Sequence, residues 1–343
     1  MVEDWTADPV PISAGEISVD VRDDHAVFGL RRIVPDANPP YLVYVVADSD
    51  GPVTTALGVK ATAWCSLFAT GLHEGSFALL LDGVNACSPE AKRGAVAGHG
   101  VGIGAADISL CPKGNVCGFA PGKDWLVRVD TGFVLTALPW APGQPSVKVA
   151  SSAEDPEHIE LENVFPQGSA VFFESSDSYH SGINVWTKAA GPRPFVRWID
   201  DTSQGAGDFG TDGADMVWSY GSGPQVVGGG WPNVDVMTAK YTTDPSAIQP
   251  RKVRSSLGKH IGTEPWVVGC GYAAHQGDLS NFIVRLADGV TWTLPYDDTN
   301  GPLTFVQPLG ITCTEAFFLG QFGGRWNVAR LRLDSLGPGA PPD

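Results

Sequence analysis

Apolar residues in this chain fall in short runs of about four to eight, broken by Gly, Asp, Asn and Pro and nowhere spaced at helical intervals over a long stretch. Alternation with a period of two puts successive side chains on opposite faces of a strand, so the pattern predicts many short strands joined by turns. One stretch shows the layout. A first strand lies in "PWVVGCG", a second in "YAAHQ", a third in "FIVRLAD" and a fourth in "VTWTLP", with Ala287 to Gly289 as the turn between the last two.

The same layout recurs. Cys270 leads to Phe282, Cys313 to Trp326 in "WNVARLRLD", Cys117 to Trp125 in "WLVRVD", and Cys65 to Phe77 in "FALLLD". Looser copies begin at Val171 in "VFFESSDSYHSGINVW" and at Val27 in "VFGLRRIVPDANPPYLVYVV", and a seventh begins near Val217 and resumes at Val234. A self-similar unit of roughly 40 to 50 residues built from period-2 runs is the signature of a β-propeller blade. The expected fold is therefore all-β: a seven-bladed β-propeller of four-stranded antiparallel blades, with six blades as the alternative. In the fourth unit "INVWTKAAG" is the third strand and "PFVRWI" the fourth; in the fifth, Asp212 and Gly213 supply a tight turn between the first two.

No composition break separates two domains, so residues 17–336 are expected to form one propeller, with residues 1–16 an N-terminal segment and 337–343, "GPGAPPD", a flexible tail. The last unit has a weak fourth strand. The segment "GEISVDV", or the residues before it, is expected to supply that strand and fasten the ring, since closure removes exposed sheet edges.

Composition adds exclusions. A formal charge of −16 with no basic stripe repels phosphate backbones, and no run approaches the ~20 apolar residues needed to span a bilayer. Nucleic acid and membrane insertion are thus poor prospects. The opening "MVEDWTADPVP" is acidic and has no apolar core of a leader. The six cysteines are even in number. Cys111 and Cys117 in "CPKGNVC" suit a hairpin-closing disulfide better than zinc, and Cys270 and Cys313 hold matching places in neighbouring units, where a bond between blades is sterically allowed. Two pairings of the rest compete: Cys111–Cys117 with Cys65–Cys87, or Cys65–Cys117 with Cys87–Cys111. The first is preferred because a short loop costs least to close. Disulfides point to a periplasmic, cell-surface or secreted location.

The order of apolar strand, Gly/Asp turn, aliphatic strand, long loop, "VRLADG"-like strand and W-x-L strand resembles the TolB-type and WD-repeat-like propellers of secreted bacterial proteins, and the likeness runs from about Ile17 to Leu336. It implies a scaffold and not an activity. The Gly-His and Trp-Asp signatures of true WD repeats are missing.

Trp125, Trp186, Phe282, Trp326, Phe77 and Tyr41 recur at or near the start of the third strand and are expected to pack blade on blade. "GHGVGIG" lacks the strand and helix of a dinucleotide fingerprint. His99, His158 and His260 fall in connections leading into the innermost strands, with Asp107, Glu157 and Glu264 near them in sequence, and are candidates to converge at a channel mouth on a ligand or a divalent metal. His73, His180 and His275 lie in or beside loops between second and third strands. Asp177, Tyr179, His180 and Trp231 belong to the longest such loops and form the best candidate recognition surface. The preferred reading is a monomeric, non-enzymatic binding module without a cofactor, presenting these loops to a protein, peptide or glycan. The alternative is a hydrolase or lyase with a His/carboxylate site at the channel mouth.

Overall fold

The computed structural model describes residues 17–22, 25–34, 41–48, 53–60, 66–74, 76–82, 93–99, 117–130, 134–140, 143–153, 160–176, 181–196, 204–222, 233–255, 265–276, 280–295, 304–322 and 325–342. Contacts divide the chain into two compact units, one of residues 6–150 and one that begins at Ser151. Among the described residues each unit is built from antiparallel sheets whose strands follow one another in chain order.

The first unit holds three sheets. The strands are β1 (Ile17–Arg22), β2 (His25–Val34), β3 (Tyr41–Asp48) and β4 (Val53–Lys60); β5 (Ser66–His73), β6 (Ser76–Asp82) and β7 (Arg93–His99); and β8 (Cys117–Pro121), β9 (Trp125–Asp130), β10 (Val134–Pro139) and β11 (Val147–Ser151). The second unit holds four. They comprise β12 (Glu160–Gln167), β13 (Ala170–Ser176), β14 (Ser181–Thr187) and β15 (Gly191–Val196); β16 (Gln204–Thr211), β17 (Asp215–Ser222), β18 (Asn233–Lys240) and β19 (Arg251–Ser255); β20 (Val267–Gly269), β21 (Tyr272–Gln276), β22 (Ser280–Arg285) and β23 (Thr291–Pro295); and β24 (Thr304–Ile311), β25 (Glu315–Phe322) and β26 (Arg325–Arg332).

The continuous apolar runs of the inner strands have a packing reason. On β17, Met216 and Trp218 join Phe172, Ile183 and Phe209 in one core cluster, whereas Val217 between them joins Trp266, Ala273 and Val284 in the next. The sheet of β20–β23 divides in the same way: Ala273 faces one cluster and Ala274 the other, with Ile283, Ile311 and Phe318. Both faces are buried, so both parities must be apolar. Phe172 stacks on Phe209 at 4.7 Å between ring centroids, and each large side chain so buried contributes roughly 1.5–3 kcal/mol.

The turn at Asp212 is as expected. The Asp212 carboxylate accepts from the amides of Ala214 and Asp215, each at 2.8 Å, and Gly213 takes φ +83°, a left-handed geometry that suits glycine. The strands expected in the unit of Cys270 are also present as β20 to β23.

Two expectations are corrected. The segment Ile17–Arg22 does not complete the last sheet. It pairs with β2, Arg22 opposite His25 and Ile17 opposite Leu30, because a partner two residues away costs far less loop entropy than one at the other end of the chain. The last sheet has three strands among the described residues; residues 1–16, the other candidate for closure, lie outside those residues. Trp125 and Phe77 open or adjoin second strands, β9 and β6, not third ones. Between Cys270 and Phe282 a whole second strand intervenes, but between Cys117 and Trp125 lies only the first strand and its turn. Tyr41, Trp186, Phe282 and Trp326 do lie on third strands, and Trp125 and Trp186 are buried as packing residues should be.

Past residue 336 the chain meets β23. Thr291 and Ala340 exchange main-chain hydrogen bonds at 2.8 and 2.9 Å.

Candidate functional site

The chemistry of the second unit gathers where the first strand of one sheet meets the second strand of the next. The sequence "GAGDFG" places Asp208 in β16 between glycines, and there the ladder slips: Gly207 pairs with Ser219 but Gly210 with Val217. Asp208 sits in this bulge at φ +56°, a left-handed conformation that a short polar side chain tolerates better than a branched one. A bulge re-aims the side chain it carries. Here the carboxylate, in a residue only 1% exposed, comes to 3.5 Å (Oδ2 to Nε2) from His275 of β21.

Three contacts fix this pair. The His275 ring stacks on the Trp266 indole with centroids 4.5 Å apart. The Trp266 main-chain amide donates to the Asp208 carbonyl at 3.1 Å, and the indole Nε1–H donates to Ser219 Oγ at 3.0 Å. Gly210 lets the strands approach: a Cβ there would stand 1.8 Å from the Trp266 carbonyl oxygen. A carboxylate beside an imidazole selects the tautomer and stabilises the protonated ring.

The preceding sheet repeats the device with other residues. Asn163 occupies a bulge of β12 at φ +42°, and its Nδ2 donates to Glu174 Oε2 at 3.0 Å. Glu174 Oε1 accepts from the amide of Phe209, the neighbour of Asp208, at 2.8 Å. A row therefore runs Asn163, Glu174, Asp208, His275 and Trp266 across three sheets, half-buried at Asn163 and buried beyond it. Asp208, Glu174, Trp266 and Ser219 were not singled out from sequence; the signal available was an Asp flanked by glycines inside a strand pattern, which marks a bulge.

The other expected residues are spread out. His99 ends β7 opposite Ser76. His158, His260, Glu157, Glu264 and Asp107, and the loop residues Asp177, Tyr179, His180 and Trp231, lie outside the described residues, as do Cys65, Cys87 and Cys111. Cys117 opens β8. His73 ends β5 with Nδ1 3.9 Å from Asp20 Oδ1. Cys270 and Cys313 form the expected disulfide, joining the first turns of neighbouring sheets. Among the described residues no helix is long and apolar enough to cross a membrane.

No family model matches the sequence, and neither does any curated protein. Solved structures do match. An oligogalacturonate lyase in complex with manganese is similar with a TM-score of 0.50 at 12% identity, over 94% of this chain and 97% of that one. An oligogalacturonate lyase from Vibrio parahaemolyticus reaches 0.54 at 9% identity, over 94% and 93%. A prolyl endopeptidase reaches 0.56 at 15% identity over 95% of this chain, which spans 49% of that one. The fold is that of a β-propeller.

The matches support neither a TolB-type nor a WD-specific assignment within that fold. They also overturn the expectation of a non-enzymatic binding module, since the similar propellers just named are enzymes. Variety in long loops, on which that expectation rested, marks a substrate-binding face as readily as a ligand-binding one. Manganese belongs to one of these neighbours. Among the described residues of this chain no three His, Cys, Asp or Glu side chains stand together to hold a metal ion.

Proposed function

We propose that the chain is a hydrolase or lyase built as a single seven-bladed propeller over residues 17–336, with acid–base chemistry carried by a histidine and a carboxylate on its inner strands. The observation that carries this reading is the buried His275–Asp208 pair, held by Trp266 between two sheets. The three enzymes of similar fold support it, and the two lyases match over almost their whole length.

His275 is the general base and Asp208 the positioning residue. In elimination, the imidazole takes the proton from the carbon next to a substrate carboxyl group. The electron pair forms the carbon–carbon double bond, and the bond to the oxygen on the adjoining carbon breaks. The imidazolium, stabilised by Asp208, returns the proton to the departing oxygen. In hydrolysis the same imidazole takes a proton from water, the water oxygen bonds to the substrate carbonyl carbon, and the imidazolium gives the proton to the leaving group as its bond to that carbon breaks. His158 and His260, with Glu157 and Glu264, are the sequence candidates proposed to complete the site. The disulfide fits an extracytoplasmic location, periplasmic, cell-surface or secreted.

The test is a turnover screen with uronate-containing oligosaccharides, esters and prolyl peptides, followed by His275→Gln and Asp208→Asn. His275→Gln should lower kcat by about 10²- to 10⁴-fold with circular dichroism unchanged. Wild-type turnover in that variant would sink the assignment.

A further inference from the structure

Beyond the one-turn helix Leu333–Ser335, the chain crosses to the sheet of β20–β23 and lies along β23. Leu333 and Leu336 anchor its base in the core shared with Ile283 and Phe318. From there the segment is held through its main chain. The Trp292 Nε1–H donates to the Gly337 carbonyl at 2.7 Å. Thr291 N donates to Ala340 O at 2.9 Å and Ala340 N to Thr291 O at 2.8 Å. Arg254 of β19 donates from Nη1 to the carbonyls of Ala340, at 3.4 Å, and Pro341, at 3.1 Å.

One position adds a side-chain requirement. A Cβ at residue 339 would stand 2.5 Å from Val290 Cγ1 and 2.8 Å from the Trp292 ring, so only glycine fits. Proline at 341 and 342 presets the extended backbone and lowers the ordering cost of docking. β23 is the fourth and last strand of its sheet, an edge with main-chain groups to satisfy.

We propose that this edge is a self-recognition site: it holds residues 337–342 of its own chain, and takes the same segment from a second copy when its own is displaced. The contacts require extended Gly-Ala-Pro-Pro geometry and do not require chain continuity. Covalent attachment supplies an effective concentration on the order of millimolar, so the intact chain closes on itself.

Two full-length variants eject the segment: Gly339→Val introduces the clash, and Ala340→Pro removes the amide that donates to Thr291. Hydrogen exchange at the Thr291 amide reports the displacement. A synthetic peptide of residues 335–343 stands for the tail of the second copy. It is expected to bind the Gly339→Val chain roughly 10²-fold tighter than wild type and to restore protection at Thr291, and a peptide with valine in place of Gly339 should do neither. The proposal is overturned by equal affinity for variant and wild type, by no binding to either variant, or by full Thr291 protection in both variants before peptide is added.

Discussion

Among the described residues the two units share a carboxylate-to-amide clamp between neighbouring sheets, and the second unit adds joints of other chemistry. In the unit of residues 6–150, carboxylates reach from one sheet to the main chain of the next: Asp20 Oδ1, on β1, accepts from Glu74 N at 3.1 Å, and Glu74 Oε2, at the turn after β5, from Lys123 N at 3.0 Å. Ser76 Oγ adds a bond to the Gly122 carbonyl at 2.9 Å. In the unit beginning at Ser151, Asp212 Oδ2 accepts from Cys270 N at 3.1 Å, and the next joint, from Cys270 to Cys313, is covalent. Deeper in that unit a second joint, Asp208–His275 with Trp266–Ser219, lies out of water. A carboxylate-to-amide clamp such as Glu74 to Lys123, at an exposed turn, is modest in strength. A covalent link, or a buried pair with an aromatic lid, holds geometry, and held geometry is what acid–base chemistry needs.

The largest expected contrast comes from the buried joint. Trp266→Ala should destabilise the second unit by about 3–5 kcal/mol, measured by denaturant unfolding, through the cavity and the lost bond to Ser219. A loss within the experimental error would mean that the joint does not hold the sheets. Next, Cys270→Ser with Cys313→Ser should cost about 2–4 kcal/mol, measured by denaturant unfolding without reducing agent. Glu74→Gln, a clamp of the first unit, should cost about 0.5–1.5 kcal/mol; a cost matching the disulfide's would erase the contrast between the units. The smallest effect concerns pH. Arg285 hydrogen-bonds Asp288 and holds its carboxyl below the usual 3.8, and the Ser246 amide and hydroxyl do the same for Asp244. Carboxyls with lowered folded pKa values contribute stability above the ordinary value of 3.8, and lose it as acid carries the pH down through the folded values. Both are surface groups, so Asp288→Asn should flatten the acid limb of the thermal-unfolding curve only slightly.

The same contrast explains what sequence could reveal. The Cys270–Cys313 bond was legible because a repeating unit puts both cysteines at one structural position, and position is what periodicity reports. The strands β20 to β23 were legible for the same reason. Asp208 was not, because a bulge breaks the period that made its neighbours visible, and "GDFG" inside a strand reads equally well as a turn. Trp125 stands 8 residues after Cys117 where Phe282 stands 12 after Cys270, a spacing that fits a second strand; Phe77 stands 12 after Cys65, so spacing does not separate it from Phe282. The weak last unit suggested a distant partner for Ile17–Arg22, whereas β2, which begins at His25, is the nearer one and the one it pairs with. His275 was noticed as a histidine near a loop, but its value lies in Asp208, which belongs to another sheet and another repeat.

Gly210 carries a last consequence. With a carbonyl oxygen lodged where its side chain would begin, that site has no smaller neighbour in the genetic code to drift toward and none larger that the backbone can admit. Saturation mutagenesis scored for folded protein should return the wild-type codon family there almost alone, while the surrounding positions of the strand accept several replacements.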